Sequence, residues 1–251
     1  MTLYNPNDTI IHPRPIHRLT GPINPVVLVS SEQDMNLIRH LCNVLFKKRL
    51  MMSHLFKCEF DNSTFTLVGP MIGGPYSAIL LEELIASGAS QFIFLGWCGA
   101  IAPHVFIGDI IIPWMSFIDE GVSKAYLNQP MMPPNASFPD KPFVNQLTTF
   151  FQAAQIPFQT GSVWSLDAFY RETIEKIKYF QTIGAIAVEM ETASLFTISH
   201  FRHVKLVSVL LVSDELFSLK WKPGFSHEAF KACQKKAVES ILVFIRDHIN
   251  E

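Results

Sequence analysis

The chain has 251 residues, 49% of them hydrophobic and 17% charged, and its formal net charge is −2. This composition is typical of a compact globular protein and excludes a disordered chain. The near-neutral charge excludes a basic footprint, so we expect neither nucleic acid nor a membrane as a partner. The four cysteines are scattered without a Cys-x-x-Cys pair, which argues against a disulfide scaffold or a zinc ribbon.

The amino-terminal segment, residues 1–18, is polar and proline-rich, without the apolar stretch of a secretory signal. No apolar run along the chain reaches the length that spans a bilayer. We therefore expect a cytoplasmic protein. No repeat or low-complexity linker divides the sequence, which predicts one domain over residues 1–251, with residues 1–24 as an amino-terminal arm.

Apolar runs and helical stripes alternate along the rest of the chain. The predicted strands are at 25–29, 57–60, 65–68, 92–95, 109–113 and 204–212. The predicted helices are at 34–48, 76–87, 142–154, 172–182, 191–200 and 227–249. The basic run Lys47-Lys48-Arg49 would end the first helix, and the five-proline segment 128–142 is predicted to be a surface loop. This alternation predicts an α/β fold, a single-domain three-layer α/β/α arrangement around a mixed central sheet.

Two segments place carboxylates in apolar surroundings, a costly combination unless those groups have a polar task. The first contains Glu189, Met190 and Glu191. The second is Ser213-Asp214, which follows the apolar run 204–212 and so lies at the carboxyl end of a predicted interior strand. Ligands of open α/β sheets bind in crevices at such strand ends. Asp214 is therefore a candidate site residue.

Six short motifs occur in an order and spacing that resemble one family. They are Ile72-Gly73-Gly74-Pro75, Gly96-x-x-Gly99-Ala100, Gly108-Asp109-Ile110-Ile111, Asp167-Ala168-Phe169-Tyr170, Val188-Glu189-Met190-Glu191 and Ser213-Asp214. Each is weak by itself, but six in sequence, from about residue 26 to the end, argue against chance. The chain resembles the nucleoside phosphorylase superfamily, which includes uridine phosphorylase, bacterial purine nucleoside phosphorylase and methylthioadenosine nucleosidase.

The resemblance implies cleavage of a ribosyl–base bond through an oxocarbenium-like transition state. Asp214 would protonate N7 of a purine leaving group; the alternative for Asp214 is a helix cap. Glu191 would accept hydrogen bonds from the ribose hydroxyls, Met190 would pack under the ribose, and Phe169 would stack on the base. For Met190 and Phe169 the alternative is ordinary core.

Other residues of the same motifs are expected to line the substrate site: Gly73, Tyr170, Trp97 and Cys98. Trp97 and Cys98 replace small polar residues of the family, and the tryptophan would narrow the sugar or anion pocket. Glu189 would be either a partner of other site residues or a carboxylate at a helix end.

The resemblance also implies a homodimer or a homohexamer. In hexameric phosphorylases a histidine near the amino terminus reaches the sugar site of a neighbouring subunit. His12 and His17 both lie near the corresponding position, and the sequence does not choose between them. A surface histidine without such a role is an equal alternative for each.

The chain departs from the phosphorylases where they bind phosphate. Met35 and Phe94 stand at two positions where the family has arginine, and Leu55 aligns loosely with a third. Hydrogen bonds to charged groups contribute about 1.5–3 kcal/mol each, so their loss would weaken phosphate binding by orders of magnitude. The resemblance therefore favours a member of the superfamily whose reaction does not use phosphate.

The nucleosidase branch also lacks those arginines and activates water with a carboxylate near the first strand. Asp34 aligns approximately with that carboxylate, and Glu32 is its near neighbour. We therefore expect hydrolysis with Asp34 or Glu32 as the general base. The alternative for Asp34 is capping of the following helix.

A purine is favoured over a pyrimidine, because Thr173 and Glu175 do not reproduce the glutamine and arginine with which uridine phosphorylases bind uracil. The predicted function is hydrolytic cleavage of the N-glycosidic bond of a purine nucleoside. Two alternatives remain: a phosphorylase with an anion site rebuilt from Arg14, Arg18 or Lys124, and a non-catalytic nucleoside-binding protein. We expect no metal and no cofactor, with phosphate as a co-substrate only in a phosphorylase.

Overall fold

The computed structural model describes residues 9–17, 19, 21–127 and 135–249. These residues form a mixed α/β structure around a central mixed sheet, which confirms the predicted fold class. Across the same residues, none of the helices combines the length and apolar character that crossing a membrane requires.

The predicted strands and helices are present, several of them longer than predicted, with the exception of helix 34–48. The strands are β1 (Val26–Val29), β2 (Asn43–Leu50), β3 (Ser53–Phe60), β4 (Ser63–Gly69), β5 (Gln91–Ala100), β6 (Ile110–Asp119), β7 (Ala136–Ser137), β8 (Gln159–Leu166), β9 (Ala185–Glu189), β10 (Lys205–Glu215) and β11 (Lys222–Pro223). The helices are α1 (Glu32–Leu41), α2 (Gly74–Ala86), α3 (Val122–Tyr126), α4 (Lys141–Ala153), α5 (Ile174–Thr182), α6 (Thr192–Phe201) and α7 (Glu228–His248), with a 3-10 turn at Phe169–Arg171.

Within the described residues the strands form one eleven-stranded sheet in the order β11-β10-β6-β8-β9-β5-β1-β4-β3-β2, with β7 beside β6. β10 also pairs with β5 in parallel, from Lys205↔Gln91 to Glu215↔Ala100. The strands β5, β10, β6, β8 and β9 therefore close into a ring, a feature that the sequence did not predict. Because β1, β5 and β10 run in the same direction, their carboxyl ends lie at one edge.

Alternate residues of the central strands face opposite helical layers, as expected from the two-residue period of a strand. On β10, Leu206 and Leu210 belong to the core cluster that contains residues of α2 and α6. Val207, Val209 and Leu211 belong to a second cluster, which contains residues of α1, α4 and α7. The sheet is therefore covered by helices on both faces, which gives the predicted three layers.

The helix predicted at 34–48 is wrong in its second half. α1 begins after Ser31 and ends at Leu41, and the chain continues as β2. The helical stripe appeared to continue because Val44 and Leu45 kept its spacing, but both are exposed on a strand. Antiparallel pairing with β3 and the extended preference of valine override that stripe.

The basic run Lys47-Lys48-Arg49 consequently lies on β2, not at a helix end. β2 is the last strand at one side of the sheet. Charged side chains, lysine above all, discourage an exposed edge from pairing with another chain. Of the predicted loop 128–142, only residues 135–142 lie within the described part of the chain, where β7 and the start of α4 are found.

α2 and α6 cross closely at Gly74. A Cβ built on Gly74 would lie 2.4 Å from Oγ of Ser194 on α6. This close approach brings the two helix amino termini together, and the Gly73 amide donates a hydrogen bond to Oε1 of Glu191 at 2.5 Å. The glycine in this motif therefore sets the position of a buried carboxylate.

We predict that Gly74→Ala destabilises the fold by about 1–3 kcal/mol, because the added methyl group overpacks the α2–α6 crossing. Gly121→Ala is the matched control, since its added Cβ would meet Oδ2 of Asp167 at 3.5 Å, an ordinary contact. We expect the control to stay within about 0.5 kcal/mol of wild type. Urea denaturation measures both variants, and equal stabilities would show that the crossing has room for a methyl group.

Candidate active site

The carboxyl ends of β5 and β10 meet beside Gly99. Asp214 pairs with Gly99 across the two strands. A Cβ built on Gly99 would lie 2.9 Å from Oδ2 of Asp214 and 2.4 Å from Cδ1 of Leu216. Glycine at this position therefore leaves the space that the Asp214 carboxylate occupies.

Asp214 is buried, with 6% of its surface exposed, and both of its carboxylate oxygens accept hydrogen bonds. Ser213 Oγ donates to Oδ1 at 2.6 Å, and Trp221 Nε1 donates to Oδ2 at 2.9 Å. Burial raises the pKa of Asp214, and the two donors lower it in part. Asp214 lies inside β10 and precedes β11, so it caps no helix. A buried carboxyl group with a raised pKa is chemically suited to donate a proton.

A row of aromatic rings covers this strand end. Phe169 is 41% exposed and Tyr170 almost fully exposed, so neither belongs to the core. The Phe169 ring stands edge-on to Trp221, with ring centres 6.2 Å apart. Trp221 lies 6.4 Å from Phe225, which in turn stacks on Trp97 at 5.9 Å. The exposed ring of Phe169 is available to stack on a planar ligand.

Glu172 is a second carboxyl group beside Asp214. It follows the 3-10 turn that carries Phe169 and is half-buried. Burial, with a further contribution from the charge of Asp214, raises the pKa of Glu172 to about 7. Two ionisable carboxyl groups therefore influence each other next to the aromatic row.

The carboxylates of the Glu189-Met190-Glu191 segment differ in their roles. Glu189 accepts hydrogen bonds from the amides of Glu191 and Thr192, at 2.8 and 2.7 Å, and from the Ser165 hydroxyl. Glu189 is thus a carboxylate at the amino terminus of α6 and, through the Glu191 amide, also a partner of another predicted site residue, so it combines the two roles predicted for it. Glu191 is also buried, and Met190 between them is half-buried.

Glu191 is held by fewer donors than Glu189. Its Oε1 accepts the Gly73 amide, the contact created by the α2–α6 crossing. Burial and, next, the charge of Glu189 raise the pKa of Glu191. The remaining acceptor capacity of Glu191 suits it to bind hydroxyl donors of a ligand.

Asp34 is fully enclosed. It has 0% exposure, and its oxygens accept hydrogen bonds from Trp97 Nε1 at 2.6 Å and Gln234 Nε2 at 2.9 Å. Burial raises the pKa of Asp34, and these donors lower it in part. The cap of α1 is Ser31, whose Oγ accepts from the Asp34 amide at 3.1 Å, so Asp34 does not cap the helix. In this arrangement no solvent water reaches the Asp34 carboxylate.

The three positions that the sequence analysis aligns with phosphate-binding arginines, Leu55 only loosely, carry core side chains. Met35, Phe94 and Leu55 are all buried within the two main hydrophobic clusters. The Phe94 ring also fills the space beside Gly96, where a built Cβ would lie 2.6 Å from the ring. These apolar side chains offer no donor to an anion.

The side chains of three other predicted site residues take no part in the hydrogen bonds described above. Cys98 is buried in a core cluster, and burial raises the pKa of its thiol well above the ordinary range. His12 is exposed, with Nδ1 3.3 Å from Oγ1 of Thr9, and His17 is exposed with its carbonyl accepting from Lys48. Within the described residues, no hydrogen bond joins either histidine to Asp214 or Glu191. Among these residues no group of His, Cys, Asp and Glu is arranged to hold a metal ion.

Sequence reasoning missed three residues of this site: Trp221, Glu172 and Gln234. Gln234 had a usable signal, since it is a polar residue on the otherwise apolar face of α7 that includes Phe230 and Ala237. Trp221 had a weaker one, as a lone tryptophan between two lysines. Glu172 had no signal in the sequence, because it comes close to Asp214 only when the chain folds back past that residue.

Comparison with known proteins gives a family match over most of the chain. The family model described as "Phosphorylase superfamily" matches residues 26–250. A guanosine phosphorylase from Halorubrum lacusprofundi is 27% identical over 188 residues, covering 74% of this chain and 75% of that protein. A DeoD-type purine nucleoside phosphorylase from Bacillus cytotoxicus is 30% identical over 167 residues, covering 65% of this chain and 68% of that protein.

Solved structures show the same fold. A uridine phosphorylase from Vibrio fischeri superposes with a TM-score of 0.75 at 24% identity, covering 88% of this chain and 91% of that one. A purine nucleoside phosphorylase from Toxoplasma gondii superposes with a TM-score of 0.76 at 16% identity, covering 94% and 90%. At these sequence identities the similarity to the solved structures is evidence for a shared fold alone. The names of the sequence relatives agree with the predicted class, an enzyme that cleaves a glycosidic bond.

We predict that Asp34→Ala destabilises the protein by about 2–5 kcal/mol, because alanine accepts from neither donor and leaves the buried N–H groups of Trp97 and Gln234 unpaired. Glu32→Ala is the matched control, at an exposed carboxylate in the same helical turn. We expect it to change stability by no more than about 0.5 kcal/mol. Urea denaturation measures the difference, and an Asp34→Ala variant as stable as the control would contradict the enclosed hydrogen-bond geometry.

We predict that Glu191→Gln changes how stability depends on pH. Because the folded-state pKa of Glu191 is raised, its contribution to stability is complete at low pH and is lost as the pH rises from the ordinary glutamate range through the raised value. Glutamine does not ionise and can still accept the Gly73 amide. The unfolding free energy of the variant should therefore gain on wild type as the pH rises, by at most about 1.4 kcal/mol per unit.

Urea titrations at a series of pH values check this, with Glu175→Gln as an exposed control on α5. The control should follow wild type at every pH. A Glu191→Gln curve parallel to both would mean that the Glu191 carboxylate is not held in an unfavourable ionised state.

Proposed function

The chain belongs to the phosphorylase superfamily, and from this premise we propose that it cleaves the N-glycosidic bond of a purine nucleoside, with water as the acceptor of the ribosyl group. One observation carries the proposal. Asp214 is a buried carboxyl group at a strand end, held by two donors and flanked through Trp221 by the exposed ring of Phe169. This arrangement supports the assignment of Asp214 as a proton donor beside a ring that stacks on the base.

The reaction that we propose begins at the base. As the bond between C1′ and the base nitrogen breaks, its electron pair moves to the base, and Asp214 transfers its proton to N7 of the purine. The sugar gains oxocarbenium character, to which a water oxygen adds while that water loses a proton. A proton from solvent then restores neutral Asp214. A positioned general acid of this kind contributes about 10²–10⁴-fold in rate.

The sugar and the base have separate proposed partners. Glu191 keeps acceptor capacity beyond the Gly73 amide, which supports its assignment to the ribose hydroxyls. Met190 would pack against the ribose, and Phe169, with Tyr170 beside it, would stack on the base. Glu189 supports this site indirectly, because it fixes the start of α6 from which Glu191 extends.

The choice of water over phosphate rests on the residues at the three positions aligned with phosphate-binding arginines. Met35, Phe94 and Leu55 are buried apolar side chains, and the enclosed Asp34 would repel an anion. Of the two carboxylates predicted to activate water, Glu32 is exposed and Asp34 is not. We therefore assign water activation to Glu32 and a structural role to Asp34.

Two observations support a purine as the base. Thr173 caps α5 through its hydroxyl, which accepts from the Lys176 amide at 3.3 Å, and Glu175 is exposed in the same turn. Neither Thr173 nor Glu175 has the side-chain amide or the guanidinium group with which uridine phosphorylases bind uracil. The guanosine phosphorylase and the DeoD-type enzyme among the relatives are also named for purine nucleosides.

A phosphate-dependent reaction is the second candidate, because both of those relatives are named phosphorylases. A phosphate-dependent reaction would need cationic side chains from other parts of the chain. Arg14 and Lys124 are exposed, whereas Arg18 lies outside the described residues. A non-catalytic binding protein is the third candidate, in which Asp214 would serve only as a hydrogen-bonding group.

We predict that Asp214→Asn lowers the rate of base release by about 10²–10⁴-fold while leaving nucleoside affinity nearly unchanged, because asparagine keeps the size and an acceptor oxygen but supplies no acidic proton. Chromatography of the freed base from adenosine, inosine, guanosine and methylthioadenosine measures the rate, and calorimetry measures binding. Glu228→Gln, an exposed carboxylate of α7, is the control and should keep the wild-type rate.

Full base release by Asp214→Asn would remove the general-acid role. Binding without base release by the wild-type protein, for every one of these nucleosides, would favour the binding protein instead.

A further inference from the structure

We propose that Trp221 is a positioning residue for Asp214. Its indole N–H keeps Oδ2 as an acceptor, so the transferable proton of the neutral carboxyl group is carried by Oδ1, beside the Ser213 hydroxyl. This inference rests on the proposed role of Asp214 as general acid, and it adds a residue and a proton position that the sequence motifs do not contain.

The backbone holds Trp221 in place although the side chain is 54% exposed. After Asp214 the chain leaves β10 and returns as β11, which pairs antiparallel with it at Asp214↔Pro223. The Gly224 amide donates to the Ser213 carbonyl at 2.8 Å, and Lys222 forms an ion pair with Glu215 at 3.0 Å. These contacts lie on both sides of the strand end and bring the indole back over the carboxylate.

The two donors, the Trp221 indole and the Ser213 hydroxyl, differ in chemistry, and this difference decides which oxygen of Asp214 carries the proton. An indole N–H can donate but cannot accept, whereas a hydroxyl can do both. A proton on Oδ2 would leave the Trp221 N–H, 2.9 Å from that atom, with the poorer acceptor of the carboxyl group, its hydroxyl oxygen. A proton on Oδ1 meets no such conflict, because the Ser213 hydroxyl can turn away to the Cys98 carbonyl at 3.3 Å. The neutral carboxyl group is therefore protonated on Oδ1.

Proton transfer follows from this arrangement. The Oδ1–H bond breaks as the N–H bond of the base forms, and its electron pair stays on the carboxylate. The Ser213 hydroxyl then turns back to donate to Oδ1, the contact seen at 2.6 Å. Trp221 donates to Oδ2 before and after the transfer, so the carboxylate does not need to rotate.

Other ionisable groups near Asp214 affect how the test is read. Glu172 interacts with Asp214, and its pKa is about 7 because of burial and the Asp214 charge. The Cys98 thiol also interacts with Asp214, but burial keeps its pKa well above the ordinary range. Glu215 is paired with Lys222. Because Glu172 ionises near neutrality, pH profiles are compared in a Glu172→Gln background.

We predict that Trp221→Phe lowers kcat by roughly ten-fold with a smaller change in KM, because the ring remains but the carboxyl group is no longer fixed. The pH profile should also move. Loss of a donor to the carboxylate raises the pKa of Asp214, and activity requires the protonated form, so the fall in rate at high pH should shift to higher pH. Trp114→Phe, at an exposed tryptophan of β6, is the matched control and should keep the wild-type profile.

A second readout does not depend on activity. In ¹⁵N-tryptophan-labelled protein, the indole N–H signal of Trp221, assigned by its loss in Trp221→Phe, should shift with pH as Asp214 ionises. Asp214→Asn should abolish that shift. If the Trp221 signal shifts with pH but the protein releases no base, the hydrogen bond between Trp221 and Asp214 is supported and the proposed nucleoside cleavage is not. A signal unaffected by Asp214→Asn, or a Trp221→Phe enzyme with the rate and profile of Trp114→Phe, would overturn the inference.

Discussion

A carboxylate that is removed from water must be given hydrogen-bond donors. The candidate site of this protein is organised around four buried carboxylates. Asp34, Glu189, Glu191 and Asp214 all lie near the ends of strands or the starts of helices. Their donors are helix amides, two serine hydroxyls, two tryptophan indoles and a glutamine amide. The close α2–α6 crossing gives Glu191 its donor, and the absence of a side chain at Gly99 leaves room for the Asp214 carboxylate.

The surroundings of Asp34 and Asp214 differ in a way that bears on function. At Asp34 the donors Trp97 and Gln234 close the carboxylate inside the core. The positions aligned with the phosphate-binding arginines carry buried apolar residues. At Asp214 the donor Trp221 is itself exposed and stands beside the exposed Phe169. This difference supports our proposal that the site keeps a group to activate the leaving base and lacks one to bind an anionic nucleophile. This asymmetry is the main physical support for hydrolysis.

The sequence predicted the fold class, most elements and the position of Asp214, because strand alternation and strand-end chemistry are local signals. It failed at residues 43–50, where a helical stripe ran by chance into a strand that pairs with β3. It missed the closed ring, because the β5–β10 pairing joins residues far apart in the chain. Trp221 and Glu172 were missed for the same reason: each acts on Asp214 only once β11 and the 3-10 turn return to it.

The central claim is that this member of the superfamily transfers the ribosyl group to water. The most direct test incubates the protein with a purine nucleoside, with and without inorganic phosphate, and identifies the sugar product by chromatography. The site predicts free ribose in both cases, released at the same rate. Ribose 1-phosphate formed only when phosphate is present would contradict the claim and would show that cations from elsewhere have rebuilt the anion site.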